Sequence, residues 1–291
     1  MQTIDRLDPL RRSVDALRQD GPLALVPTMG ALHDGHLTLV REAAKHAAHV
    51  AVSIFVNPRQ FGAGEDLDAY PRQLKRDCDL LASEGVSLVW APGLEVMYPA
   101  GYATNISVSG VSEGLCGGDR PGHFDGVATV VCKLFQQVRP DSAFFGEKDW
   151  QQLAVIRRMA RDLDFTHPHA EQIIGVPTVR EADGLAMSSR NAYLSAEDRL
   201  RAAILPRAMR EAISRIEAGG EVAACLSQLE QSLVAGGFAS VDYAELREAS
   251  SLASLEALRS ARGRLIVAAR IGHARLIDNM PVGHDGVANI T

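Results

Sequence analysis

Apolar positions along the first 165 or so residues follow two rhythms that take turns. Compact apolar runs at 23–26 (LALV), 50–56 (VAVSIFV), 86–90 and 142–145 have the length and make-up of strands buried on both faces. Between them apolar residues recur at helical spacing, over 37–49 (where Leu37, Val40, Ala44 and Ala47 share a face), 71–84, 127–138 and 149–163. Turn chemistry punctuates the runs: Pro27-Thr28-Met29-Gly30 after the first, Asn57-Pro58 after the second, and Gly85 as a helix stop. Alternation of this kind predicts a parallel sheet covered on both faces, an α/β fold of the doubly wound, Rossmann-like type. Beyond about residue 175 the pattern changes. Helical stretches at 197–218 and 222–233 precede β-like runs at 241–246, 265–271 and 274–277, which predicts a smaller C-terminal α+β domain. The expected division is therefore 1–175 and 176–291.

Composition supports a packed core, with 46% hydrophobic and 23% charged residues. The net charge of -6 gives no electrostatic case for nucleic acid or a membrane surface as partner. An acidic chain that handles phosphates must concentrate its cations in one place. Cys78, Cys116, Cys132 and Cys225 show no CxxC spacing, so neither a zinc ribbon nor a disulfide framework is expected, and reduced thiols are. The first twenty positions alternate charges and lack the apolar centre of a signal peptide. No apolar run approaches the roughly 20 residues of a membrane helix. The expected location is the cytoplasm.

The strongest chemical signal is His33-Asp34-Gly35-His36, placed where the first apolar run gives way to a helix. Nine His and 25 Gly in 291 residues would produce about 0.02 such HxGH matches by chance. At that junction a helix N-terminus offers free amides and positive dipole to phosphates. Two imidazoles there can donate hydrogen bonds as charge builds on an α-phosphate, and Gly35 permits close approach. The pair also has HxxH metal spacing, but no further ligands accompany it, and no protein metal site is expected. His46 and His49 repeat the spacing late on the expected helix, as a solvated face.

Three further segments gain weight beside HxGH. Met187-Ser188-Ser189-Arg190-Asn191 puts two hydroxyls and a guanidinium on a loop suited to a triphosphate tail; alone it is an ordinary polar turn. In Gly146-Glu147-Lys148-Asp149, after the 142–145 run, Lys148 can neutralise phosphate, with Gln152 one helical turn beyond. Asn57-Pro58-Arg59-Gln60-Phe61 brings Gln60 to the same edge of the sheet.

Taken in order, PTMGALHDGH, FVNPRQF, RPGHFDGV, FFGEKDWQQL and MSSRN resemble the pantothenate synthetase family over about residues 20–195, and more weakly to the end. The resemblance implies an ATP-dependent ligase that joins pantoate to β-alanine through a pantoyl-adenylate, releasing pyrophosphate and then AMP, with Mg²⁺, as a homodimer. It implies an ATP site of Met29, Gly30, Ala31, Leu32, His33, Asp34, Gly35 and His36, completed by Gly146, Glu147, Lys148, Asp149, Val179, Met187, Ser188, Ser189 and Arg190. His36, His33 and Lys148 would be the catalytic groups. Gln60 and Gln152 would hold pantoate, with Gln60 also against β-alanine, and Pro27, Met29, Phe61 and Val131 could supply an apolar surround. Asn57, Tyr70, Arg120 and His123 fall in family-like segments without an assigned role. The rival readings are another HxGH nucleotidyltransferase, which keeps the nucleotide in its product, and a non-catalytic nucleotide- or metal-binding module.

Overall fold

The structure, a computed structural model, describes residues 1–62, 64–258 and 262–283. It divides into two compact units, Met1–Thr178 and Val179–Thr291. Residues 284–291 of the expected second domain lie outside the described residues.

The first unit runs β1 (Gln2–Ile4), α1 (Leu7–Asp20), β2 (Leu23–Thr28), α2 (Asp34–His46), β3 (His49–Ile54), α3 (Leu74–Ser83), β4 (Leu88–Trp90), the short helices α4 (Leu94–Met97) and α5 (Leu115–Asp119), α6 (His123–Val138), β5 (Ser142–Gly146), α7 (Trp150–Asp162) and β6 (Ile173–Val176). The six strands form one parallel sheet in the order β1-β4-β3-β2-β5-β6. Leu23 to Val26 are all buried, because β2 is central and covered on both faces. Ala24 and Val26 pack with Leu37, Val40 and Ala43 of α2, Leu81 of α3, and Val50, Val52 and Phe144. On the opposite face, α6 sets Gln137 to accept a 3.0 Å hydrogen bond from the Trp90 indole and packs Phe135 edge-on to Phe145. The doubly wound expectation is met.

Several boundaries differ from the sequence reading. β1 and α1 precede the run at 23–26; α1 buries only Leu10 and Val14 in a charged stretch, so its i, i+4 stripe is thin. The helix expected to reach residue 49 stops at His46, and His49 opens β3, hydrogen-bonded to Asp20 and Ser87. Helix 71–84 begins only at Leu74. β6 is an edge strand of four residues ended by Pro177, too short for a periodic signal.

The second unit contains α8 (Ala196–Ala202), α9 (Ile204–Glu217), α10 (Val222–Ala235), β7 (Ser240–Glu248), β8 (Gly263–Ile271) and β9 (Ala274–Val282). Its strands form an antiparallel sheet with β8 in the centre. Leu205, Met209, Ile216, Leu229 and Leu233 of the helices share a core with Leu246, Leu265, Val267 and Ala269 of the sheet. The single helix expected over 197–218 is two. Pro206 has no N–H to offer the carbonyl four residues back, so the chain turns at Ala203 and restarts with the proline in the first turn of α9.

Candidate active site

β2 and β5 lie side by side, yet the chain leaves β2 toward β3 on one side and β5 toward β6 on the other. A crevice opens at the carboxyl ends of such a pair, where the order reverses. Residues 29–36 follow β2, and residues 146–149 follow β5 as a strand end and a 3-10 turn (Glu147–Asp149). The topology thus brings the HxGH and Lys148 segments to one place, and Lys148 and His33 both act electrostatically on His36.

The turn 29–33 is held from below by a residue the sequence reading did not single out. Asp77 of α3 is 1% exposed, and its carboxylate accepts from the amides of Ala31 (3.0 Å) and Leu32 (2.9 Å). Gly30 and Ala31 both have positive φ, 83° and 52°. A Cβ on Gly30 would come within 3.0 Å of Asp77 Oδ2, so glycine satisfies both the turn and the approach. An acidic residue three places before the apolar pair Leu80-Leu81 reads as a solvated helix position, which is why it escaped notice.

His33 is the N-cap of α2 and His36 its third helical residue, with ring centroids 4.1 Å apart. The His33 amide donates to His36 Nδ1 at 3.4 Å, the place a Glu or Gln side chain takes in a capping box. That bond leaves the ring proton on Nε2. Burial, His33 and Lys148 push the His36 imidazole down to about 3, so at neutral pH it is an uncharged donor. Asp34 turns its exposed carboxylate to Arg41 at 2.9 Å, and Leu32 is buried in the core. What these two offer the crevice is backbone. The amides of Gly30, Ala31, Leu32 and His33 are already occupied, by Thr28 Oγ1, the Asp77 carboxylate and His36 Nδ1. At the first two positions of the helix, the amides of Asp34 and Gly35 have no intrahelical acceptor.

Gln60 sits on a 3-10 turn (Pro58–Gln60) after β3. Its amide nitrogen lies 2.9 Å from Met29 Sδ, and its Oε1 accepts from Asn57 Nδ2 at 3.2 Å. Asn57, 1% exposed, also donates to Gly126 O and accepts from the Tyr98 hydroxyl and the Arg59 amide. Asn57 therefore shapes the turn from within. Tyr70 is buried edge-on to Phe61, 6.0 Å between centroids. Pro27, Met29 and Phe61 are half-buried, and Val131 is buried in α6.

The adjacent glutamines of α7 behave differently. Gln151 is 5% exposed and pins the 111–116 loop, accepting from the Cys116 amide and donating to the carbonyls of Val111, Glu113 and Gly114. Gln152 is half-exposed and makes no side-chain hydrogen bond among the described residues. Its amide is available.

In the second unit, residues 179–187 form a hairpin that leads into the 187–191 segment. Arg180 pairs with Ala186, the Met187 amide donates to Val179 O at 3.0 Å, and Gly184 turns the chain at φ 91°. Val179 and Met187 thereby become neighbours. Ser188 caps a 3-10 turn (Ser189–Tyr193) by accepting from the Arg190 amide. Arg180 anchors the hairpin to Asp278 of β9 with two bonds, 2.7 and 2.9 Å, and that carboxylate is 1% exposed.

A parallel doubly wound sheet with two histidines at a helix start and a lysine beyond the adjacent strand defines an α/β protein with a ligand crevice at the strand-order reversal. Comparison with known proteins narrows it. The Pantoate-beta-alanine ligase family model matches residues 2–281. A pantothenate synthetase of Novosphingobium aromaticivorans is 67% identical over 284 residues, covering 97% of this chain and 99% of that protein. The crystal structure of a pantothenate synthetase from Thermus thermophilus superposes with a TM-score of 0.89 at 48% identity, covering 96% and 99% of the two chains. A pantoate-beta-alanine ligase from Francisella tularensis, solved in complex with beta-gamma ATP and beta-alanine, gives 0.80 at 33% identity, covering 96% and 97%. The chain belongs to the pantoate–β-alanine ligase family, and its reaction is the joining of those two molecules.

Proposed function

We propose that the reaction runs through a pantoyl-adenylate formed at the carboxyl edge of β2 and β5. A pantoate carboxylate oxygen attacks the α-phosphorus of ATP, and the bond to pyrophosphate breaks. The amine of β-alanine then attacks the acyl carbon, and AMP leaves with the bonding electrons. The observation that carries this reading is the uncharged His36 at the start of α2, within the field of Lys148. Its Nε2–H meets charge developing on the α-phosphate, while Lys148 supplies the cation and the amides of Asp34 and Gly35 the dipole. His33 would serve beside it.

Gln60 and Gln152 are neutral amides that hold a carboxylate and hydroxyls without an ion pair that would blunt the nucleophile. In this reading Gln60 also meets β-alanine. Residues 29–36 and 146–149 of the first unit bind ATP in this reading, and Val179, Met187, Ser188, Ser189 and Arg190, within the second unit, are a separate phosphate-facing segment. Mg²⁺ accompanies the triphosphate. Its ligands would be largely phosphate oxygens and water. We extend the reading to a homodimer and, with all four cysteines free thiols, to the cytoplasm.

The test is stepwise. Enzyme, ATP, Mg²⁺ and pantoate should yield pyrophosphate and a bound adenylate before any amine is present; β-alanine should then release AMP and amide in equal amounts. ADP as product would replace the adenylate with an acyl phosphate. Pyrophosphate that appears only with a nucleotide-accepting alcohol would favour the nucleotidyltransferase.

A further inference from the structure

The main-chain carbonyl of Gln60 is met by two side chains from one short stretch. His123 Nδ1 lies 2.7 Å from it and Arg120 Nη2 3.1 Å. Arg120 also donates through Nη1 to His123 Nε2 at 3.1 Å, and through Nε and Nη2 to Glu65 at 2.6 and 2.5 Å. These contacts fix every proton. A carbonyl only accepts, so Nδ1 carries the imidazole hydrogen; a guanidinium only donates, so Nε2 must be bare. His123 is held neutral in one tautomer, in keeping with a pKa lowered to about 4 by burial and by Arg120.

The backbone beneath is equally confined. α6 starts at His123, and one turn later a Cβ on Gly126 would lie 2.1 Å from Arg59 O and 2.7 Å from Gln60 N. The start of α6 therefore touches the main chain of residues 59–60 directly, while Asn57 ties the same turn to Gly126 O. The Gln60 side chain points onward, its nitrogen to Met29 and its oxygen to Asn57. A residue whose main chain is held from three directions is one whose placement matters.

We propose that Arg120 and His123 are positioning residues that lock the main chain of Gln60 so that its amide is presented to the substrates. The inference rests on the reading of Gln60 as the residue that holds pantoate and β-alanine. Neither side chain needs to touch a substrate. Glu65 holds the Arg120 guanidinium in plane, which makes the clamp a triad of charge, ring and carbonyl.

His123→Ala should lower kcat/KM for pantoate and β-alanine tenfold or more, since displacements of about 1 Å can cost two orders of magnitude. The KM for ATP should stay within about twofold. His123→Asn, whose Nδ2–H can replace Nδ1–H, should recover most of the loss, and Arg120→Lys should fall between. If the effect passes through Gln60, adding His123→Ala to Gln60→Ala should cost little more than Gln60→Ala alone. Equal losses toward ATP, additive double-variant losses, or wild-type pantoate kinetics in His123→Ala and Arg120→Lys would each overturn the clamp. Pantoate kinetics unchanged in Gln60→Ala would instead remove the substrate reading, and the clamp with it. Should His123→Ala fail to fold, the Asn and Lys variants carry the same comparison.

Discussion

The two segments read as phosphate-facing, residues 29–36 and 187–190, are held in place by different contacts. The first is a turn buttressed from the core: a buried carboxylate accepts from two backbone amides, a glycine admits that carboxylate closely, and the following helix carries the uncharged His36 imidazole. The second ends a hairpin supported by ionic pairs, Arg180 with Asp278 and Arg199 with Glu181 and Asp183. Arg199 is partly exposed there, so part of that support is screened by solvent. Each segment rests on a buried carboxylate, Asp77 or Asp278, and they differ in what it grips: backbone amides under residues 29–36, a guanidinium beside 187–190.

The sharpest way to break this comparison is His36→Ala. Removing one preorganised donor should cost about 10²–10³ in the adenylation rate, read as pyrophosphate release in a single turnover. Wild-type rates in the folded variant would end the HxGH assignment. Lys148→Ala and Arg190→Ala come next and should separate. Lys148, on the 3-10 turn after β5, should lower kcat with little change in ATP KM; Arg190 should raise ATP KM and lower kcat together. Identical ATP titrations for both variants and wild type would remove that separation.

Asp77→Ala tests the buttress. It leaves two amides without their acceptor, so unfolding should become easier by about 3 kcal/mol, and adenylation should slow even where the fold survives. Chemical denaturation alongside single-turnover kinetics reads both. A variant with full stability and rate would show that the turn stands without it.

The last test is with pH. His36 and His123 have folded values of about 3 and about 4, below the ordinary 6.5. The unfolded chain therefore takes up these protons first as pH falls. Their contribution to stability is complete above about 6.5, declines as pH drops below it, and levels off once each folded value is passed. Urea midpoints between pH 8 and 4 should fall, less so in His123→Asn. A flat profile would mean that neither ring is held neutral.

Much of this was legible in the chain because it is local. LALV and VAVSIFV declare strands buried on both sides, HDGH marks a strand-to-helix junction, and the motifs from PTMGALHDGH to MSSRN carry the family resemblance. Pro206 could have been read as the break between α8 and α9, and Leu7, Leu10, Val14 and Leu17 as the stripe of α1. What the sequence could not show depends on partners far away along it. Gln151 and Gln152 are chemically the same residue side by side, and only the helix azimuth makes one a structural pin and leaves the other amide open. Asp77 looks like a surface acid until α3 packs it beneath the Ala31 turn, 46 positions away. Arg120, His123 and Gly126 acquire meaning only where α6 meets the backbone of residues 59–60. Periodicity and motif report what a residue is next to in the chain; hydrogen bonds to distant carbonyls and amides are decided by packing.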